Sequence, residues 1–155
     1  GDVADLRAQL AALTKGSLPS DVQSAATALD AKLAAFGAAD GRGPRGGGLG
    51  GGFGAPARVP GSVLPFYSIN ALYYSVLGPL SQNGIDMPPT AAMIHTWESG
   101  CKEFTATSSS WKTMLNGDIA DFNNSLTKNN LTPLKIAPTR LTPPASCTFA
   151  QTGKR

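Results

Sequence analysis

Between positions 38 and 61 the chain reads AADGRGPRGGGLGGGFGAPARVPG. A run this dense in glycine, with proline interspersed, loses too much backbone freedom on ordering to sustain a helix or a strand. Any fold open to this chain is therefore built from two stretches, one before the run and one after it. No strand precedes the run to aim a helix N-terminus at a phosphate, and no Lys-Ser or Lys-Thr follows a correctly spaced glycine, so the phosphate-binding loop pattern is not met. Arg42, Arg45 and Arg58 lie within or beside it, but two Arg-Gly steps without interleaved aromatics are a poor RNA-binding signal. The run reads as a tether or surface loop, expected over 38–63.

Each flanking stretch carries helical spacing. In DVADLRAQLAAL, residues 2–13, Val3, Leu6, Leu10 and Leu13 repeat at three and four. Asp2 is placed to cap this helix, and Gly16 to stop it. In SDVQSAATALDAKLAAF, residues 20–36, Val22, Ala26, Leu29, Leu33 and Phe36 form the stripe, and Ser20 with Gln23 matches a capping box. The short link TKGSLPS forces the two helices to be antiparallel neighbours, giving a helical hairpin over 1–37. After the glycine run, Phe66, Ile69, Tyr73, Val76 and Leu80 form one stripe, widened by Leu72 and Leu77. Pro65 suits the first turn, and Gly78-Pro79 is expected to end or kink this helix. Thr90 caps the next helix. Along it Ile94, Trp97, Cys101, Phe104, Ser108, Trp111 and Leu115 keep a seven-residue spacing. Asn116-Gly117 weakens that helix, and Ile119, Phe122 and Leu126 carry the stripe on, as one kinked helix or as a short fifth one. Asn129-Asn130 is the stop. The expected fold is all-α: two antiparallel hairpins, 1–37 and 64–130, joined by the Gly-rich loop and closed by an irregular Pro-rich tail, 131–155.

Charge bears on partners. Charged residues make up 15% of the chain, against roughly 25% for an ordinary globular domain. A surface with so few charges is one that expects to be covered by another domain or chain. The net charge of +3 is too small a field to argue for nucleic acid. The stretch 59–85 contains no charge, but Pro60, Pro65, Asn70, Gly78, Pro79, Gln82 and Asn83 interrupt it, so a membrane span is not expected.

No constellation for catalysis stands out. His95 is the only histidine; Glu98 is one turn away and Cys101 six residues on, too far round the helix to act with it. Metal and haem sites need more converging ligands than this, and neither a metal nor a cofactor is expected. The acid pairs Asp86 with Glu98 and Asp118 with Asp121 read as caps and solvated surface. Cys101 lies on the apolar stripe and Cys147 in the tail. They are either two unrelated thiols or one disulfide that staples the tail to the helix. The second reading is favoured, because an irregular tail has little else to hold it, and it requires an extracytoplasmic compartment. Tyr67, Tyr73, Tyr74, Trp97 and Trp111 are the candidate interface residues.

The stretch LRAQLAALTKGSLPSDVQSAATALDAKLAAF resembles a helical hairpin near the C-terminus of large bacterial proteins described as sortilin-type (VPS10-like) or BNR-repeat glycosyl hydrolases. The resemblance continues through SINALYYSVLGPLSQNGIDMPPTAAMIHTWESGCKEF, Trp111 and GDIADFNNSLTKNNLTPL. The closing Asp118-x-Ala120-x-x-Asn123 and Leu131-x-Pro133-Leu134 belong to it, and it covers residues 2–134. It implies an extracytoplasmic helical appendage to a β-propeller, with any hydrolase chemistry located in the propeller and no catalytic residue in this chain. The glycine run and the Cys147 tail depart from that pattern. The expected function is a non-catalytic docking or scaffolding domain that packs against a protein partner or the remainder of a larger polypeptide. The alternatives are the tail of an extracytoplasmic hydrolase-like propeller enzyme and a small ligand-binding bundle, for which His95, Glu98 and Tyr74 would have to converge on a polar cleft.

Overall fold

A computed structural model describes residues 2–37, 63–82, 88–138 and 141–149. The glycine run, residues 83–87 and residues 150–155 fall outside them, and so does the tether reading. Among the described residues there are helices and no strand. In order they are α1 (Asp2–Leu13), α2 (Ser20–Ala34), α3 (Phe66–Gln82), α4 (Ala91–Met114), a π-helical turn (Leu115–Ile119) and α5 (Ala120–Lys128). The chain is all-α. Consecutive helices pack in pairs, α1 on α2 and α3 on α4, and α5 returns to α2.

The apolar stripes become the core. Leu6 and Leu10 of α1, and Val22, Ala26, Leu29 and Leu33 of α2, are buried together with Phe36. The same cluster takes in Trp111, Met114, Ile119, Phe122, Leu126 and Leu134, so residues from both sides of the glycine run share one core. Phe36, Phe66 and Trp111 form its aromatic centre, with Trp111 edge-on to both phenyl rings at centroid distances of 5.3 and 6.5 Å. Two hydrogen bonds fix the start of α3 there. Phe66 N–H donates to the Phe36 carbonyl (3.1 Å), and the Thr107 hydroxyl donates to the Leu64 carbonyl (2.9 Å).

Several helix ends differ from the sequence expectation. Ser20 does not cap α2; it is the first helical residue, entered from Pro19, whose carbonyl accepts the Gln23 N–H at 2.9 Å. Proline's fixed φ, here −53°, makes it a natural entry residue without a side-chain cap. Asp2 likewise lies within the first turn of α1, where its charge favours the positive end of the helix dipole. Gly78-Pro79 does not end α3, which runs on to Gln82. A proline so near the C-terminal end costs the helix only one backbone N–H donor. Leu77 does not widen the buried stripe but stands outside it. Thr90 does cap α4, accepting the Met93 N–H at 3.3 Å. At the other end, Asn130 takes a left-handed φ of 56°, and Leu131 N–H reaches back to the Leu126 carbonyl, a Schellman-type stop.

Asn116-Gly117 marks where α4 gives way to a short fifth helix. It lies in the π turn, which carries α4 into α5. The buried positions explain why a wider turn is needed. They step by three from Thr107/Ser108 through Trp111 to Met114, then by five to Ile119, before resuming at Phe122 and Leu126. An α-helix would rotate Ile119 off the core face, and one π turn absorbs the extra residue.

Two glycines separate backbone need from mere tolerance. A Cβ on Gly37 would lie 2.8 Å from Val3 Cγ1, a stiff β-branched side chain, whereas one on Gly100 would meet Leu72 and Tyr73 at ordinary contact distances of 3.7–3.8 Å. Gly100 sits mid-helix, where glycine is about 0.5–1 kcal/mol worse than alanine. Gly100→Ala is therefore expected to raise stability by about that amount in urea titrations, and Gly37→Ala to lower it.

Candidate functional site

Helix α3 contains no charged residue, and one of its faces is open. Positions 67, 74 and 77 fall on one side of a helix of 3.6 residues per turn. There Tyr67 is 49% exposed, Tyr74 67% and Leu77 53%. The opposite side of α3, with Ile69 and Val76, is buried. Packing against α4 thus uses one side of α3 and leaves the other as an uncharged stripe of two phenols and an isobutyl group.

The five aromatic candidates divide. Tyr67 and Tyr74 lie on this stripe. Tyr73 turns toward α4, with its ring about 3.8 Å from the Cβ position of Gly100, and burial pushes its phenol above the ordinary pKa. Trp97 is half-buried beneath Phe149, edge-on at 5.9 Å. Trp111 is 1% exposed and belongs to the core, so it cannot anchor an external partner. A heptad position looks alike whether it faces a core or a partner, which is why spacing did not separate these two tryptophans from the surface tyrosines. Leu77 escaped the sequence reading as a surface residue, although its place three residues beyond Tyr74 was the available signal.

Beside the stripe lies an open groove of about 950 Å³ between α1 and α2. Phe36, Phe66 and Trp111 contribute to it, and Tyr67 stands on it, so groove and stripe share a residue. An ion pair crosses it: Arg7 Nε and Nη2 donate to the two carboxylate oxygens of Asp30 at 2.7 and 3.0 Å. The hydrogen bond from Arg7, reinforced by its charge, holds the Asp30 carboxyl below the usual aspartate range.

The tail is tied down by side-chain amides that the sequence did not reveal. Asn123 accepts the Leu134 N–H (2.7 Å) and donates to the Leu134 carbonyl (3.2 Å). Gln9 does the same for Lys135, at 2.7 and 3.0 Å. Further along, Cys147 meets Cys101 at disulfide distance, with Cα atoms 5.5 Å apart. Glu98 accepts the Phe149 N–H at 2.9 Å. Glu98 therefore serves the tail rather than a cleft with Tyr74, and His95 lies exposed. Among the described residues no three metal-binding side chains gather, and no helix is long and apolar enough to cross a membrane. No family model, curated protein or solved structure matches the chain.

The Arg7–Asp30 pair makes a pH prediction. A depressed carboxyl pKa contributes stability above the unfolded value of about 3.9, and that contribution is lost as pH falls through the lower folded value. With Asp30 40% exposed, solvent screening limits it to about 1 kcal/mol or less. Asp30→Asn is expected to destabilise by that order at pH 7, with the gap to the parent closing in strong acid, as read from thermal melts across pH.

Proposed function

We propose that the chain is a non-catalytic docking domain that lays the outer face of α3 against a protein partner or another part of a larger polypeptide. The observation that carries this reading is the Tyr67–Tyr74–Leu77 stripe, about half exposed or more on a helix without a single charge. Tyrosine suits such a face: its ring offers apolar area and its hydroxyl tolerates either water or a partner's carbonyl. Covering the three side chains returns on the order of 1 kcal/mol each, from about 25 cal/mol per Å² of apolar surface. That is enough to anchor an interface whose remaining contacts are neutral.

Two further observations support the setting. The resemblance to the C-terminal helical region of sortilin-type propeller proteins supports an extracytoplasmic appendage whose partner is a propeller. The approach of Cys101 and Cys147 to bonding distance fits an oxidising compartment. A second reading, a small ligand-binding bundle, is favoured by the groove between α1 and α2, which Phe36, Phe66 and Trp111 help to line and in which Arg7 and Asp30 are paired.

The paired substitution Tyr74→Arg with Leu77→Arg separates the two. Both residues are exposed, so the melting temperature is expected to stay within a few degrees. Size-exclusion of native extracts is expected to move the chain from a larger complex to the mass of the uncomplexed polypeptide. If the unaltered chain already elutes at that mass, or if the pair of arginines leaves the complex intact, the docking reading fails.

A further inference from the structure

The tail is held in two ways that depend on different chemistry. Residues 134 and 135 are gripped by the Asn123 and Gln9 amides, and Leu134 is buried in the core. Leu141 also packs on the core. Beyond it the chain is almost wholly exposed, at 142 and again at 144–146, 148 and 149. What binds this last stretch to α4 is one column of side chains, Trp97, Cys101 and Thr105, spaced four apart on a single face. Phe149 covers Trp97, its N–H donates to Glu98, and Cys147 lies against Cys101 with the Thr105 hydroxyl 3.9 Å from its sulfur. Apart from the sulfur–sulfur bond, among the described residues this comes to one backbone hydrogen bond, one long hydroxyl–sulfur contact and one ring pair. Set against the freedom lost by ordering the whole stretch, those few contacts do not hold it.

We propose that residues 142–149 are a redox-released strap: thiol–disulfide exchange with a dithiol reductant frees them from α4 and uncovers Trp97 and Cys101, while the rest of the fold stays in place. Geometry sets the direction of attack. Cys101 is fully buried and Cys147 only half so. The reductant thiolate therefore reaches the Cys147 sulfur, forming a mixed disulfide as the bond to Cys101 breaks. Cys101 leaves as a thiolate and takes a proton from the reductant's second thiol through solvent. That second sulfur then displaces Cys147, which is protonated in turn. Two electrons pass to the protein, two cysteine thiols result, and the reductant closes to its own disulfide. The amide clamps at 134–135 contain no sulfur and are untouched, so the strap stays tethered and the step is reversible by oxidation.

The two tryptophans report on this separately. Trp97 lies under the strap, and Trp111 lies in the core. In a ¹⁵N-labelled sample of the full chain, the two indole N–H resonances, assigned with Trp97→Phe, are followed before and after dithiothreitol. The expected result is a shift of the Trp97 signal alone, alkylation of Cys147 at a rate approaching that of an exposed thiol, and the same Trp97 position in Cys147→Ser without reductant. An unchanged Trp97 signal in the reduced protein would mean the stretch stays docked without the bond, and overturns the proposal. So would movement of both signals, which would make the bridge a support of the whole fold, or a need for denaturant before reduction proceeds.

Discussion

Trp111 sets the geometry on which the exposed face depends. Its indole lies edge-on to Phe36, at the end of the first helical pair, and to Phe66, at the start of the second. The Phe66-to-Phe36 backbone bond draws the two ends together within one hydrogen-bond length. Whatever path residues 38–62 take, they leave and return at neighbouring points, and closing a loop of that length costs little more than closing a shorter one. With its first residue fixed against Trp111 and its inner side packed on α4, α3 has no rotational freedom left. Its uncharged outer side must face away from the core.

The π turn is the second constraint. A single helical run has to serve two sets of neighbours: α3 along α4, then α2 and the tail along α5. Without the additional residue between Met114 and Ile119, one of these faces would rotate into solvent. The turn also carries Asp118 to Lys32 of α2, whose ammonium donates to it at 2.5 Å. Exposed on both sides, that pair contributes little to stability. Its value is in marking how the turn aims its side chains toward α2.

Local pattern was legible in part, failing at the Ser20 cap and the Gly78-Pro79 stop, and of the distant pairings the Cys101–Cys147 approach was the legible one. The buried residues of α1 and α2 match the three-four spacing at every position, because a thin alanine-rich stripe leaves only one face to bury. The Thr90 cap and the Asn130 stop were readable for the same reason: each depends on residues within one turn. The π turn was not legible: Leu115, Ile119, Phe122 and Leu126 read as one continued stripe, and the step from Met114 to Ile119 shows only once the buried positions are known. Gln9 and Asn123 looked like ordinary solvated amides, since their partners are the backbone of Lys135 and Leu134, which any sequence would supply. Of the candidate interface, Tyr67 and Tyr74 were legible as aromatics on an uncharged helix. The fates of Trp97 and Trp111 were decided by the tail and by the first helical pair, which helical spacing alone does not encode.

The central claim is that the outer face of α3 is made to be covered. Hydroxyl-radical footprinting of the chain in its native extract, repeated after purification, reads this directly, with Trp111 as a residue shielded in both states. Tyr67 and Tyr74 are expected to be protected in the extract and to become several-fold more reactive once the chain is purified. Equal reactivity in the two samples would contradict it and leave α3 as an exposed helix with no partner.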